Sequence, residues 1–254
     1  MSPPEATSKA AIGAAPEGAR DEQSAAHAVQ QMFADVAPRY DLLNHVLSCN
    51  VDRVWWWRAA RTFSHVLRQP DARILDLCCG TGDMTLALRK RAGKTANQIA
   101  GADFVHAMLT RAQPKTADKN IALMEADALR LPLLNEAFDL VTSAFGFRNL
   151  ANYDAGLREI YRVLKAGGEV GILDFSEPTG ILGKVYRVYF KHVLPRIGSL
   201  ISGIRGPYSY LPDSVERFPV PEEMKRKMEA AGFVDVSWTP YTFGIAGLFR
   251  GRKT

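Results

Sequence analysis

The stretch Ile74-Leu75-Asp76-Leu77-Cys78-Cys79-Gly80-Thr81-Gly82-Asp83-Met84-Thr85-Leu86-Ala87-Leu88 decides the fold. Ile74 to Leu77 is a short apolar run of the kind that forms a strand buried on both faces, and Met84, Leu86 and Leu88 begin a helix after it. Between them, Gly80 and Gly82 lack the Cβ that would hinder a sharp turn or the close approach of a ligand. Strand, glycine turn and helix N-terminus in this order make a ligand-binding corner at the carboxyl edge of a parallel sheet.

The corner is not a phosphate loop. The Walker pattern needs Lys and then Ser or Thr after its second glycine, and Asp83 stands there instead. With Asp76 on the strand, two carboxylates would repel a pyrophosphate and attract a cation. The third glycine of the dinucleotide fingerprint is also missing, so NAD suits this field less well than a cofactor with a sulfonium and an α-amino group. A glycine turn that serves only packing is the plain alternative. The segment resembles the first motif of the class I S-adenosylmethionine-dependent methyltransferases, with Asp76, Gly80, Thr81 and Gly82 facing the cofactor.

At 254 residues and 47% hydrophobic, the chain can bury one sizeable α/β core with a small appended cap. No run approaches the roughly 18 apolar residues of a membrane span. The net charge of +5 is spread through helical stretches rather than packed in a block, which speaks against nucleic acid and is compatible with an anionic membrane surface. Cys49, Cys78 and Cys79 offer neither a disulfide framework nor a metal-ligand spacing, as expected of a reducing compartment. Residues 1–23 lack apolar periodicity and read as a mobile tail. Glu5, Glu17, Asp21 and Glu22 argue against a mitochondrial transit peptide, and no apolar secretion segment is present, so a cytoplasmic protein is expected.

A single domain is expected over 24–254: a helical cap at 24–70, a cofactor-binding core at 71–177, a helical, aromatic insert at 178–220, and a helix with a strand hairpin at 221–254. Val29, Met32, Phe33 and Val36 fall at helical spacing, ended by Pro38. Tyr40-Asp41-Leu42-Leu43-Asn44 then gathers polar groups on a greasy segment, and Trp55-Trp56-Trp57 follows among Arg53, Arg58 and Arg61. Core packing accounts for at least one tryptophan, whereas indoles flanked by arginines also suit a lipid interface. Three more strands, Gln98–Asp103, Ile121–Ala126 and Phe138–Phe145, each end in polar groups. Asp103, a little over twenty residues past Gly80, is placed to accept ribose hydroxyls or to cap the helix from Val105 to Ala112. Asp127-Ala128 is placed to meet adenine, and Gly146-Phe147-Arg148-Asn149 puts a guanidinium and a carboxamide at the same edge. A helix over 153–164, a turn at Lys165–Gly168, a strand over 170–175, a helix over 222–230 and strands near 233–240 and 243–250 complete a doubly wound, mainly parallel α/β sheet of seven strands with an antiparallel strand at one side.

From about residue 30 the chain resembles the UbiE/COQ5/MenG family of quinone-biosynthesis C-methyltransferases. The resemblance rests on Arg39-Tyr40-Asp41-Leu42-Leu43-Asn44, Cys79-Gly80-Thr81-Gly82-Asp83, Phe145-Gly146-Phe147-Arg148-Asn149, Arg162-Val163-Leu164-Lys165 and His192-Val193-Leu194-Pro195-Arg196-Ile197-Gly198. It implies S-adenosylmethionine at Thr81, Asp103 and Asp127-Ala128. A serine common in the family on the fourth strand aligns with Ala144, so that contact is absent or supplied by Ser143. Asp52 stands where the family usually has His, and Ala166 and Asp174 stand where its second signature has Pro and Glu.

The implied chemistry is C-methylation of a polyprenylated quinol, demethylmenaquinol first, with 2-methoxy-6-polyprenyl-1,4-benzoquinol as the alternative. Arg148 would stabilise the quinolate oxygen, while Asn149, Tyr40, Asp41 and Asn44 orient the ring; a salt bridge from Arg148 to an acid of the cap is the competing role. His192 is a second candidate base at the substrate, with packing as its plain alternative, and the apolar insert with Tyr208 and Tyr210 would hold the isoprenoid tail, which implies peripheral contact with the inner face of the membrane, no nucleic-acid partner, and assembly as a homodimer or within a quinone-synthesis complex. A soluble small-molecule substrate and a non-catalytic cofactor-binding scaffold are the other readings.

Overall fold

The computed structural model describes residues 13, 14, 16, 18–41, 48, 50–95, 98–178 and 206–254. The cap begins with α1 (Glu22–Val36). The Asp21 side chain accepts from Ser24 N at 2.7 Å, and Ser24 Oγ accepts from Asp21 N at 3.0 Å, a reciprocal capping box. Pro38 ends the α-helix in a 3₁₀ turn, Ala37–Arg39. α2 (Val51–Thr62) and the single turn α3 (Ser64–Leu67) follow.

Strands and helices then alternate: β1 (Arg73–Leu77), α4 (Asp83–Ala92), β2 (Gln98–Asp103), α5 (His106–Thr116), β3 (Ile121–Glu125), β4 (Phe138–Ala144), α6 (Tyr153–Val163) and β5 (Leu164–Phe175). The chain finishes with α7 (Gly206–Arg217), α8 (Pro221–Ala230), β6 (Val234–Tyr241) and β7 (Ala246–Arg252). The sheet order is β3-β2-β1-β4-β5-β7-β6; the first five strands are parallel, and β7 runs antiparallel between β5 and β6. The order reverses between β1 and β4, where an open α/β sheet leaves its ligand crevice.

Both faces of the sheet are covered. On one, Leu75, Leu77 and Val141 pack with Leu157, Ile160 and Val163 of α6 and with Met224 and Met228 of α8. On the other, Ile74 and Leu140 meet Leu88 of α4, Trp55 and Trp56 of α2, Leu67 of α3, and Phe63 between those two helices. Each such side chain buried contributes about 1.5–3 kcal/mol, so the two apolar layers rather than strand propensity hold the sheet.

Two differences from the sequence expectations have local causes. Lys165–Gly168 is not a free turn: Gly167 N donates to Lys253 O and Lys253 N to Gly168 O, so β5 starts at Leu164 with a bulge where Gly167 adopts φ +78°. Packing begins ahead of Ser24, because Ala14 is buried and its N–H donates to Leu150 O at 2.8 Å. α7 falls within the stretch 178–220 read as a helical, aromatic insert, and Pro212 lies inside that helix. Residues 179–205 of that expected insert lie outside the described residues.

Candidate active site

β1 ends in a run of left-handed backbone: Cys78 at φ +55°, Gly80 at +54° and Gly82 at +88°. Cys79 N donates to Ala102 O and Gly82 N to Cys79 O, which ties the turn to β2 and starts α4. Asp76 lies fully buried beneath this corner. Its oxygens accept from Thr85 Oγ1 at 2.6 Å and Thr142 Oγ1 at 2.8 Å, and burial pushes its carboxyl up to about 7 against the pull of those hydroxyls. Asp83 pairs with Lys115 of α5 at 3.0 Å. The expected pair of bare carboxylates is therefore not what the corner presents: one is buried with hydroxyls on both oxygens, and the other is balanced by a lysine distant in sequence.

Asp103 is the acid at the mouth. Its oxygens accept from Gly80 N at 2.8 Å and Val105 N at 2.9 Å, bridging corner and β2 exit, and burial lifts it to about 6 despite those donors. The residue at the helix cap position is Val105, so Asp103 braces the loop ahead of α5 rather than capping that helix. Asp127 is exposed and accepts from Leu129 N, forming a turn at the tip of β3 with Ala128 buried next to it. Ser143 points into the interior beside the Cys78 thiol, and its hydroxyl has no hydrogen-bond partner of regular geometry among the described residues. Ala144, one residue on, lines the cavity.

Over the strand tips lie two small adjoining cavities of about 50 and 20 Å³, with Cys78, Asp103 and Asn149 in the lining of both. Tyr40, Gly80, Asp103 and Asn149 border the first, and Asp127, Ala128, Leu129 and Asn149 the second. Ala26, Phe33 and Tyr40 of the cap form their outer wall. Typical ligand sites hold about 300–1,000 Å³, so the cap lies down on the corner in this conformation. A groove of about 980 Å³ between the outer sides of α1 and α5 is larger but carries none of the strand-tip acids. The donors and acceptors fit an adenosine-bearing ligand: Asp103 for ribose, Asp127-Ala128 for the adenine edge, and glycines where the chain must come close. A Cβ on Gly80 would stand 3.9 Å from the Tyr40 ring, in the gap between corner and cap.

Asp41 has both carboxylate oxygens engaged, one by Thr81 Oγ1 at 2.5 Å and one by Lys115 Nζ at 2.9 Å. It joins cap to corner, while Tyr40 faces the cavity and packs edge-on against Phe33 at 6.1 Å. Asn44 and His192 lie outside the described residues, as does the Tyr208 side chain.

On the other side of β1, Phe145 takes φ +58° at the end of β4, and Gly146 passes so close to Cys78 that a Cβ there would stand 2.3 Å from the Cys78 Cβ. This turn delivers Arg148 and Asn149. Arg148 is buried: Nη1 donates to Asp174 Oδ1 at 2.9 Å and to Phe145 O, Nε donates to Ser214 Oγ at 3.3 Å, and the guanidinium lies 5.2 Å from the Phe175 ring centroid. The competing ion pair exists, but its acid is Asp174 of β5, not a cap residue. Asn149 accepts from Tyr210 OH at 3.1 Å, and burial lifts the Tyr210 phenol to about 12. Trp55, Phe145 and Phe175 form an aromatic cluster at this edge, with centroids 4.7 to 6.0 Å apart. Lys115 and Ser214 escaped the sequence reading, and Asp174 entered it only as a departure from the family's second signature, since no spacing links them to the motifs they serve.

The seven-stranded order, the glycine corner and the acids at the tips of β2 and β3 define a Rossmann-like S-adenosylmethionine-dependent methyltransferase of class I. A solved SAM-dependent methyltransferase from Thermotoga maritima superposes with a TM-score of 0.62 at 18% identity, covering 89% of this chain and all of that one. Residues 19–253 match the ubiE/COQ5 methyltransferase family, and the chain belongs to that family. Among its relatives, a demethylmenaquinone methyltransferase from Deinococcus radiodurans is 49% identical over 92% of this chain and 95% of its own. One from Thermus thermophilus is 49% identical over 87% of this chain and its own full length.

Proposed function

We propose that the protein methylates a ring carbon of a polyprenylated hydroquinol, demethylmenaquinol before any other, and that it does so at the membrane where such a substrate resides. The observation that carries this reading is the buried Arg148 at the sheet edge, set between the aromatic cluster of Trp55, Phe145 and Phe175 and the Asn149–Tyr210 pair, one turn from the cofactor corner. S-adenosylmethionine supplies an electrophilic methyl group when bound.

The chain supplies the rest. An aromatic carbon is a poor nucleophile until a phenolic proton leaves and charge enters the ring. Arg148 stabilises the quinolate oxygen, Asn149 and Tyr40 orient the ring, and the cap excludes water. Gly80, Asp103, Asp127 and Ala128 would hold the donor and, with Tyr40 and Asn149, would set the ring carbon against its methyl group; the proton given up by that carbon after methylation would pass to water. Holding the carbon in line contributes on the order of 7–11 kcal/mol to such transfers in favourable cases.

The test is mass spectrometry of quinones from cells lacking the protein. Accumulation of the demethylated naphthoquinone is expected, accumulation of a benzoquinone precursor would move the substrate to the ubiquinone route, and an unchanged quinone profile would contradict the proposal.

A further inference from the structure

α2 buries Trp55, Trp56, Ala59 and Ala60 and turns Arg53, Val54, Trp57, Arg58 and Arg61 outward. Positions 54, 57, 58 and 61 follow the helical repeat and share one face. Val54 is 53% and Trp57 49% exposed, and the Arg61 guanidinium lies 5.2 Å from the Trp57 ring centroid. The tip of the β6–β7 hairpin stands beside this face: Trp55 Nε1 donates to Thr242 Oγ1 at 2.8 Å, and the Arg58 guanidinium covers the Tyr241 ring at 4.1 Å. That tip carries Phe243, 82% exposed at φ +57° after Thr242 at φ +45°.

Phe243 is a poor choice for folding alone. A left-handed position on the surface favours Gly or Asn, and a phenyl ring held in water adds a second cost without packing in return. Two residues before it, Tyr241 lies under the Arg58 guanidinium of α2. The one acid of that helix, Asp52, is buried, so the outward face of α2 presents cations and no carboxylate. Indole and phenyl groups set among guanidinium groups match a headgroup layer, with apolar rings at the acyl boundary and cations at phosphate level. Charge complementarity thus favours an anionic bilayer over a protein partner.

We propose that the outer face of α2 and the Thr242–Gly244 tip form the docking surface for an anionic lipid bilayer, with Phe243 and Trp57 entering the interface. The inference rests on the membrane-borne substrate proposed above and names the face that meets the membrane. The same helix turns Trp55 inward onto Phe145 and Phe175, so the bilayer would lie one helix thickness from the proposed ring site.

The experiment is flotation of the full-length protein with phosphatidylcholine vesicles, with and without phosphatidylglycerol. Wild type should float with the anionic vesicles and be released by high salt. Phe243→Asn and the double variant Arg53→Gln/Arg61→Gln should each weaken partitioning on the order of tenfold, as charge and ring loss predict. The melting temperature should match wild type in the arginine variant and equal or exceed it in Phe243→Asn, S-adenosylmethionine affinity and turnover of a short-chain, water-soluble quinol should match wild type in both, and turnover of a long-tailed quinol in vesicles should fall. Equal flotation of variants and wild type would overturn the proposal, as would wild type failing to float, or a concentration-dependent dimer in free solution that these substitutions abolish. Short-chain turnover without vesicle binding would sink the docking surface and leave the methyltransfer reading standing; vesicle binding without turnover of any quinol would do the reverse.

Discussion

Replacing Arg148 with Met removes a guanidinium that is 7% exposed from an aspartate, Asp174, that is fully buried. Breaking a buried ion pair costs about 3–5 kcal/mol because the remaining charge has no compensation. Asp174 keeps two backbone donors, Arg148 N at 3.0 Å and Phe175 N at 2.9 Å, which puts the expected loss near the lower end, about 3 kcal/mol. For a domain of this size that corresponds to roughly 6–12 °C in melting temperature. A second change, Asp174→Asn, removes the stranded charge and keeps an acceptor for one of those two amides, and should restore part of that stability.

Activity separates the two roles of the arginine. If the guanidinium stabilises developing negative charge on the ring oxygen, kcat falls on the order of 10²–10³-fold in both the single and the double variant. Thermal unfolding, calorimetry with S-adenosylmethionine and methyl-transfer rates are measured on the same preparations. Recovered stability with turnover still lost assigns Arg148 to the chemistry. Turnover that returns with stability in the double variant, or that survives in Arg148→Met, would refute the reasoning and leave Arg148 as a brace for β5.

Burial raises Asp76 from 3.8 to about 7 and Asp103 to about 6, so their contribution to stability is full below about pH 4 and is lost as pH rises through those values; Asp76→Asn should flatten the fall in melting temperature between pH 4 and 7, and an unchanged slope would contradict the assignment. Lys115→Met leaves Asp41 and Asp83 without their shared cation. Because the group is partly exposed, stability should change by only about 0.5–1 kcal/mol, whereas S-adenosylmethionine affinity weakens about fivefold and Lys115→Arg restores it. Equal affinity in all three proteins would mean that the cap does not depend on this contact. Gly146→Ala forces a methyl onto the Cys78 Cβ and should cost about 1–3 kcal/mol with a matching drop in turnover as the Arg148 turn shifts; a melting temperature equal to wild type would show that the close approach is not required.

The sheet was legible because its evidence is local. Ile74–Leu77 and Phe138–Ala144 are apolar runs ended by glycines and polar residues, and each helix between strands repeats its apolar residues at helical spacing. Asp103 and Asp127 were legible as strand-tip acids for the same reason. The expected field at the corner was misjudged at Asp76 and Asp83, since composition reveals neither the hydroxyls of Thr85 and Thr142 nor the ammonium of Lys115 from another helix. Arg148 stood out as a residue, but its partner Asp174 is 26 positions away and is brought to it only by the parallel pairing of β4 with β5. Tyr210 was expected along a tail path, whereas its phenol meets Asn149. Such contacts are properties of topology and become visible only once the strands are placed.

The central claim is methyl transfer to carbon, and the most direct measurement is incubation of the purified protein with reduced demethylmenaquinol and S-adenosylmethionine bearing a deuterated methyl group. Fragmentation mass spectrometry of the product should place the label on the quinone ring carbon. Label on a phenolic oxygen, or no label in the quinone while the folded protein binds the donor, would contradict the account.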